Sequence, residues 1–283
     1  MSKPNFFIIG TPKSGTTSLF YHLDAHPEVF TPKIKEPHYF SHPEVKSTYY
    51  KTNIISNEQN YLNLYKNVEN EKAIGDLSTS YFFNYDSAER IKEFNKDAKV
   101  IVVLRNPVER AISHYLMDFS LGYINLPLDE VLKNEKDYKS FYNQYVNIGF
   151  YEKPLKKFIE VFGRANILII LSDNLFNKTE KTLENVFNFI GVDTNLKLEL
   201  FKKRNQFKKP KHPFVKKILK SETANKIINI FPESIKENLK LILFDKNVEK
   251  PIFREERKKL KRLYLDSINN TSNLLNLNLD SWK

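Results

Sequence analysis

A short polar loop near the start of the chain carries the residue types best suited to chemistry. The stretch reads NFFIIGTPKSGTTSLFYHL, in which the apolar run 6–9 ends at Gly10. The loop and the start of the next segment supply Lys13, Ser14, Gly15, Thr16, Thr17 and Ser18. Backbone N–H groups in a glycine-bearing turn and at a helix N-terminus bind anions, and hydroxyl groups add further donors. The spacing therefore predicts a site for a phosphate or a similar anion.

The loop departs at one position from the nucleotide-binding pattern G-x-x-x-x-G-K-[ST]. Thr16 stands where that pattern has lysine, and the cation is Lys13, three positions earlier. In nucleoside-triphosphate enzymes the lysine spans the β- and γ-phosphates, and the next Ser or Thr holds Mg²⁺. Moving the cation places its charge elsewhere, near a leaving-group oxygen. An ordinary strand–turn–helix corner is the alternative interpretation.

A second group of chemical interest closes a buried strand farther along. The segment AKVIVVLRNPVERAISHYLMDF contains the continuous apolar run 100–104, which is typical of a buried parallel strand. Arg105 follows it, at a place where a nucleoside triphosphatase offers a metal-binding aspartate. Arginine can bind a phosphate through two parallel N–H bonds, so a second phosphate site is predicted here. A surface salt bridge is the other interpretation of Arg105.

Strands and helices alternate along most of the chain and must position these residues. A third buried strand is predicted at 166–171, and helices are predicted at 17–25, 57–65, 87–94 (with Asp86 as a cap), 109–119, 150–162, 178–190 and 255–269. This alternation predicts an α/β, three-layer P-loop-like fold with a central parallel sheet flanked by helices. No repeat or Gly/Ser-rich linker interrupts it, so residues 1–283 are predicted to form a single domain.

Composition excludes several classes of protein. The 283 residues are 41% hydrophobic and 13% aromatic, as in a packed globular protein. The absence of cysteine excludes disulfides, thiolate metal sites and a cysteine nucleophile, and it suits a reducing compartment. The chain leaves no room for a signal peptide before the first strand, and no segment reaches the roughly 18 apolar residues of a spanning helix. We therefore expect a cytoplasmic protein without a transmembrane segment.

The net charge of +11 favours anionic partners, although a solvated lysine-rich surface would give the same value. One alternative function is consequently a basic, non-catalytic binder of nucleic acid or another polyanion, whose affinity would depend on salt alone. A P-loop nucleotide kinase or NTPase is the other alternative. The main hypothesis is an enzyme with a nucleotide cofactor and no nucleic-acid partner.

The two strand–loop–helix units resemble the cofactor-binding signatures of sulfotransferases that use 3′-phosphoadenosine 5′-phosphosulfate (PAPS). The segments are FFIIGTPKSGTTSLFYHLDAHPEV and VIVVLRNPVERAISHYLMDF, and KEPHYF, GFYEKPLKKFIEVFGRANILIILSDNL and LNLDSW add to the similarity. The resemblance is to the branch that contains the heparan sulfate sulfotransferases and their bacterial relatives. It implies that the first signature binds the 5′-phosphosulfate and the second the 3′-phosphate. The implied product is 3′-phosphoadenosine 5′-phosphate (PAP).

The resemblance also implies roles for residues outside the two loops. Ser113, eight residues after Arg105, is similar to the family's second 3′-phosphate ligand, with a polar helix-surface residue as the alternative. Tyr151 and the basic run KKRNQFKKPKH resemble a later cofactor and lid region. In that run, Lys208, Lys209 and Lys211 would close over the 3′-phosphate, or else belong to a solvated loop. Because the sulfuryl group is already activated, transfer needs positioning, charge stabilisation and a base, but no metal.

Two residues of the segment KIKEPHYFS compete for the role of general base. The resemblance assigns it to Glu36, whose pKa partial burial near an anionic sulfate would raise toward neutrality. His38 needs no such tuning, and a hydrogen-bonded support role is its alternative. The other histidines show no metal-ligand spacing, so no metal site is predicted.

The sequence leaves the acceptor open among hydroxyl- or amine-bearing glycans, glycolipids, small metabolites and tyrosyl peptides. The heparan sulfate enzymes have a Glu-Lys pair before a Thr-Pro segment. This chain instead has GDLSTSYFF, with Thr79 in the place of proline.

Overall fold

The structure, a computed structural model, describes residues 2–46, 48–50, 54–195 and 251–283, together with the backbone of residues 209–210 and 244–245. Strands and helices are numbered in chain order within these residues. The strands are β1 Phe6–Gly10, β2 Val29–Phe30, β3 Ala73–Leu77, β4 Lys99–Leu104, β5 Ile167–Leu171, β6 Lys209–Pro210 and β7 Phe244–Asp245. The α-helices are α1 Thr16–Asp24, α2 His42–Val45, α3 Glu58–Leu62, α4 Ser87–Phe94, α5 Pro107–Leu121, α6 Leu128–Lys133, α7 Lys139–Tyr145, α8 Glu152–Phe162, α9 Ser172–Asn177, α10 Thr179–Ile190 and α11 Arg254–Leu275.

Strands β1 to β5 form one parallel sheet in the order β2-β3-β1-β4-β5. In the middle strand, Ile8 lies opposite Leu77 on β3 and Ile101 on β4, and the register toward β4 shifts between Ile8 and Gly10. Since all pairs are parallel, the carboxyl ends of β3, β1 and β4 meet at one edge, where α/β folds bind ligands. The predicted fold class is confirmed.

Burial explains why the central strands could be recognised as apolar runs. Every residue of β1 and β3 is buried, as expected where helices cover both faces of a parallel sheet. On one face, Phe6 and Ile8 pack in a cluster with Leu19 of α1 and Phe187 of α10. Burial of each such side chain stabilises the fold by roughly 1.5–3 kcal/mol, so β1, which leads into the loop before α1, is firmly held.

The chain divides into two compact units. The first comprises Met1–Arg110, Ile148–Arg204 and Tyr264–Lys283, and it contains the parallel sheet. The second comprises Ala111–Asn147 and Asn205–Leu263. Within the second unit, Tyr145 donates a 2.8 Å hydrogen bond to Asp118, and Lys259 pairs with Asp129. The single domain over residues 1–283 stays a prediction.

Several element boundaries differ from those predicted. Helix α4 spans the predicted residues, but the predicted cap at Asp86 is wrong: this residue has a helical φ of −62°, and its side chain makes no capping hydrogen bond. Helix α3 is capped by Asn57, whose side chain accepts from the Asn60 N–H at 3.1 Å. Helix α11 extends beyond the predicted 255–269 at both ends. Such ends depend on contacts that a local pattern does not contain.

Candidate active site

The loop between β1 and α1 is fixed to the neighbouring strand through Thr11. Its N–H and its hydroxyl both donate to the Val103 carbonyl of β4, at 2.8 and 3.0 Å. The Thr11 and Ser14 hydroxyl oxygens are 2.6 Å apart, and Ser14 is fully buried. The Ser14 hydroxyl, predicted as an anion ligand, is therefore engaged within the loop and helps to hold its shape.

The N-terminus of α1 has the geometry of an anion site. Gly15 precedes the helix at φ 99°, and a Cβ there would stand 2.8 Å from Cζ of Phe176, so the position requires glycine. The Ser18 N–H donates to the Gly15 carbonyl at 2.9 Å, where helical bonding begins. The N–H groups before it belong to the first turn, which lacks intrahelical acceptors. Thr16 and Thr17 add hydroxyl groups at this end, as the sequence predicted.

Arg105 joins the two predicted signatures. Its Nη1 donates to the Lys13 carbonyl at 2.8 Å, and the hydroxyl of Tyr151 donates to the Arg105 carbonyl at 2.8 Å. Burial lowers the pKa of Arg105, but a guanidinium starts so high that it stays charged. Burial raises the pKa of Tyr151 to about 12, so its hydroxyl keeps the proton that it donates. Lys13 and Arg105 thus lie together at the carboxyl edge of the sheet.

The remaining predicted donor ligands fall in three different places. Ser113 lies on the second turn of α5, within the second unit, and is half-buried. Tyr151 is buried, and its hydroxyl supports the main chain at Arg105. Lys208 and Lys211 lie outside the described residues, and only the backbone of Lys209, in β6, is described. Their contacts with a cofactor stay predictions.

Glu36 lies at the same edge of the sheet, beyond β3. Its N–H donates to the Leu77 carbonyl at 2.9 Å, and its backbone has a φ of 60°. Lys35 Nζ lies 2.6 Å from Oε1, and the Thr79 hydroxyl donates to Oε2 at 2.8 Å. Burial would raise the pKa of this carboxyl, but the Lys35 ammonium, together with His38 and the Thr79 hydroxyl, holds the pKa below its usual value. The predicted rise was tied to a neighbouring anionic sulfate and stays a prediction; in the protein by itself the pKa is lowered, chiefly because Lys35 stabilises the charged form.

His38 is arranged as a supporting residue. It is buried, its Nδ1 lies 2.7 Å from the Ser80 hydroxyl, and its backbone N–H donates to the Ser78 hydroxyl oxygen at 3.2 Å. Burial lowers the pKa of the imidazole and so favours its neutral form. The Ser78 hydroxyl in turn donates to Asp76 at 3.0 Å. These bonds hold the segment that carries Glu36.

Asp76 anchors this network inside the sheet. It is fully buried, and it accepts hydrogen bonds from the hydroxyls of Tyr61 at 2.6 Å and Tyr81 at 2.9 Å. Burial raises its pKa to about 6 in spite of these donors. The buried Asp76 carboxylate therefore orients the Ser78 hydroxyl.

The main chain after β3 runs directly beside the end of β1, where the loop to α1 begins. The Ser78 and Phe82 N–H groups donate to the Ile8 and Ile9 carbonyls, at 3.1 and 2.9 Å. A Cβ on Gly10 would lie 2.7 Å from Cβ of Phe82 and 3.6 Å from the Thr79 carbonyl oxygen. Residues 78–82 consequently contact both the end of β1, where the loop to α1 begins, and the side chain of Glu36.

Four further residues at this edge, which the sequence did not single out as site residues, are Lys35, Ser78, Thr79 and Ser80. A signal was available, because a run of three hydroxyl residues follows a buried strand directly. Carboxyl ends of parallel strands meet at one edge, so such a run falls beside the loop after β1.

Comparison with known proteins identifies the family. The profile of the sulfotransferase domain matches residues 3–256. The chain belongs to the sulfotransferase family. This confirms the resemblance and the enzyme class that it implies, and a P-loop kinase or NTPase is not favoured.

Several curated relatives resemble this sulfotransferase over part of their length. Human heparan sulfate glucosamine 3-O-sulfotransferase 3B1 is 29% identical over 192 residues, covering 67% of this chain and 46% of that protein. Carbohydrate sulfotransferase 15 of Mus musculus is 27% identical over 250 residues, covering 67% and 44%. The membrane-associated sulfotransferase kil1 of Dictyostelium discoideum is 41% identical over 121 residues, covering 43% and 24%. The chain spans less than half the length of these relatives.

Solved structures share the fold of this sulfotransferase. A crystal structure of a sulfotransferase from Alicyclobacillus acidocaldarius superposes with a TM-score of 0.76 at 24% identity, covering 100% of this chain and 99% of the other. Mouse sulfotransferase SULT7A1, solved in complex with PAP, gives a TM-score of 0.52 at 16% identity, covering 95% and 85%. At these identities the likeness shows the fold.

Metal clusters and membrane-spanning helices are both missing from the described residues of this sulfotransferase. Within them, no three His, Cys, Asp or Glu side chains are grouped so as to hold a metal ion. Nor does the described part of the chain contain a helix that is both long enough and apolar enough to span a membrane.

Proposed function

We propose that the protein transfers the sulfuryl group of PAPS to a hydroxyl or amine group of a carbohydrate or small-molecule acceptor. The observation that carries this proposal is the bond from Arg105 Nη1 to the Lys13 carbonyl. It supports a site that receives both phosphate-bearing ends of one adenosine bisphosphate, because each signature contributes a cation to the same edge. The family and the PAP complex of a structural neighbour agree with this donor.

The donor set suits a polyanionic nucleotide. The loop N–H groups, the Lys13 ammonium and the hydroxyls of residues 16–18 would hold the 5′-phosphosulfate. Arg105 would hold the 3′-phosphate, with Ser113 as its predicted second ligand. A helix N-terminus adds favourable potential for negative charge, so the site needs no further cation for binding.

Two side chains would perform the chemistry. The bound donor supplies an activated sulfuryl group, whose bond to phosphate breaks in line as the acceptor oxygen or nitrogen bonds to sulfur. Glu36 accepts the proton of the acceptor group, and Lys13 stabilises the electron pair left on the bridging phosphate oxygen. His38 supports the Glu36 segment through Ser78 and Ser80.

A carbohydrate acceptor is favoured by the relatives, which are named as heparan sulfate glucosamine and carbohydrate sulfotransferases. The replacement of the Glu-Lys pair by Asp76 and Leu77 separates this chain from the heparan sulfate pattern. We therefore propose a glycan other than heparan sulfate. The cytoplasmic location stays a prediction.

Calorimetry tests the donor site. We expect PAP to bind at least about tenfold more tightly than ATP with Mg²⁺, since Arg105 is proposed to bind the 3′-phosphate and the proposed reaction needs no metal (1.4 kcal/mol is tenfold). Adenosine 5′-phosphosulfate, which lacks the 3′-phosphate, is the matched ligand control and should bind more weakly than PAPS. A preference for ATP with Mg²⁺ would overturn the proposal.

A further inference from the structure

Both oxygens of the Glu36 carboxylate are held by side chains of different kinds. Lys35 Nζ bonds Oε1 at 2.6 Å, and the Thr79 hydroxyl bonds Oε2 at 2.8 Å. A carboxylate offers about four lone-pair positions, so each oxygen keeps one position for another donor. The carboxylate is therefore oriented without being saturated, and an acceptor hydroxyl can still approach it.

We propose that Lys35 is a positioning residue that sets the pH above which Glu36 can accept the acceptor's proton. This inference rests on the proposed function, in which Glu36 is the base. Neither the sequence patterns nor the family resemblance gave Lys35 a role.

The two holding groups have separable effects because they come from different places. Thr79 follows β3, whose main chain is bonded to β1, so its hydroxyl fixes the direction of Oε2. Lys35 is adjacent to Glu36 in the chain, and its ammonium is carried on a flexible four-carbon stem. Thr79 therefore mainly orients the carboxylate of Glu36, whereas Lys35 mainly stabilises its charged form.

Shielding makes the Lys35 charge effective. The Lys35 and Glu36 side chains are only 26% and 27% exposed, so their attraction is screened less than that of a pair on the open surface. The Lys35 ammonium keeps Glu36 ionised to lower pH, but it also makes the carboxylate a weaker base. The enzyme therefore gains activity in mild acid at the expense of proton-accepting strength.

Other charged groups face Glu36 and have smaller or opposite effects. On the same loop, His38 lowers the pKa of Glu36 when charged, but its own pKa is lowered by burial. On β3, Asp76 is coupled to Glu36 in the other direction, because the negative charge of Glu36 raises the pKa of Asp76. Lys35 is therefore the group whose removal should move the titration furthest.

The test compares Lys35→Met with Lys33→Met. Lys33 is exposed two residues earlier, so its substitution removes the same charge without removing the ion pair. We expect the acid limb of the kcat/KM profile to move up by about one pH unit in Lys35→Met, to stay in place in Lys33→Met, and to be kept by Lys35→Arg. An unmoved limb in Lys35→Met overturns the inference, and Lys35→Gln repeats the test should the Met variant fold poorly.

A second measurement separates this inference from the proposed function. The Glu36 carboxyl is titrated by NMR in ¹³C-labelled protein without donor or acceptor, with Glu36→Gln identifying the signal. A higher Glu36 pKa in Lys35→Met supports the inference, whereas an unchanged pKa overturns it, whatever reaction the protein catalyses. If the NMR pKa moves while the rate profile does not, Glu36 is not the base, and the role of Lys35 in catalysis is overturned together with that assignment.

Discussion

The loop after β1 and the polar run after β3 lie side by side but are built by opposite means. In the first, the main chain does most of the holding: Thr11 is bonded to Val103, and Gly15 accepts the first bonds of α1. In the second, side chains hold side chains, as Thr79 holds Glu36. The proposed phosphate site, which is built largely from backbone, should tolerate many side-chain substitutions apart from its glycines, whereas the proposed base, which is held by side chains, should not.

Lys13→Ala gives the largest expected effect. Lys13 is the residue of the loop after β1 whose side chain, and not its backbone, is proposed to act in the reaction. If the backbone holds the donor and Lys13 stabilises the leaving oxygen, kcat should fall by roughly 10²–10³-fold. The dissociation constant of PAP, measured by calorimetry, should change much less. Lys66→Ala, at an exposed lysine, is the control. A kcat within about twofold of wild type would remove Lys13 from the chemistry.

Asp76→Asn tests the buried anchor of the second region. The folded-state pKa of Asp76, about 6, lies above its ordinary 3.8, so the folded protein binds more protons than the unfolded chain between these values. The free energy of unfolding should therefore fall as pH rises from about 4 to 6, by up to about 3 kcal/mol from this group. Denaturant titration across this range should show that contribution lost in Asp76→Asn.

The exposed Asp97→Asn is the control for that measurement, because it removes a carboxylate outside the network. Equal pH dependence in wild type and Asp76→Asn would show that the Asp76 carboxyl does not titrate in this window.

Gly15→Ala has the smallest expected effect and sharpens the comparison on the backbone side. The new Cβ would lie 2.8 Å from Cζ of Phe176, and the alanine would have to adopt a φ of 99°, which L-residues rarely do. We expect a loss of about 1–3 kcal/mol in the free energy of unfolding, together with weaker PAP binding. Gly191→Ala is matched to it, since its φ is 82° and nothing lies within 4 Å of its Cβ. Equal losses in the two variants would mean that the Phe176 contact adds no cost.

The parts that were predictable from sequence are those that local physics determines. The apolar runs of β1 and β4 indicated buried strands because parallel strands are covered on both faces, and Gly10 and Arg105 marked their ends. Hydroxyls, glycine and lysine at the start of α1 indicated an anion site for the same kind of local reason, and anion binding there stays a prediction.

The holding of Glu36 could not be predicted in this way. Thr79 lies 43 positions from Glu36, and their contact requires β2 to pair with β3 so that the loop after β2 reaches the end of β3, which no local pattern encodes. The positive φ values at Glu36 and His38 were equally hidden, because neither residue type announces a left-handed conformation. The pKa of Glu36 is lowered chiefly by Lys35, its neighbour in the sequence, and the rise predicted beside an anionic sulfate stays a prediction.

The close approach of Gly10 to Phe82 constrains how this enzyme could be redesigned. A Cβ at residue 10 would stand 2.7 Å from the Phe82 side chain, and the Phe82 N–H donates to Ile9. Exchanging residues 78–82 for another segment would therefore disturb the turn after β1, which we propose to bind the nucleotide. Engineering of this chain should therefore graft the two segments as one cassette, with Gly10 and Phe82 kept together.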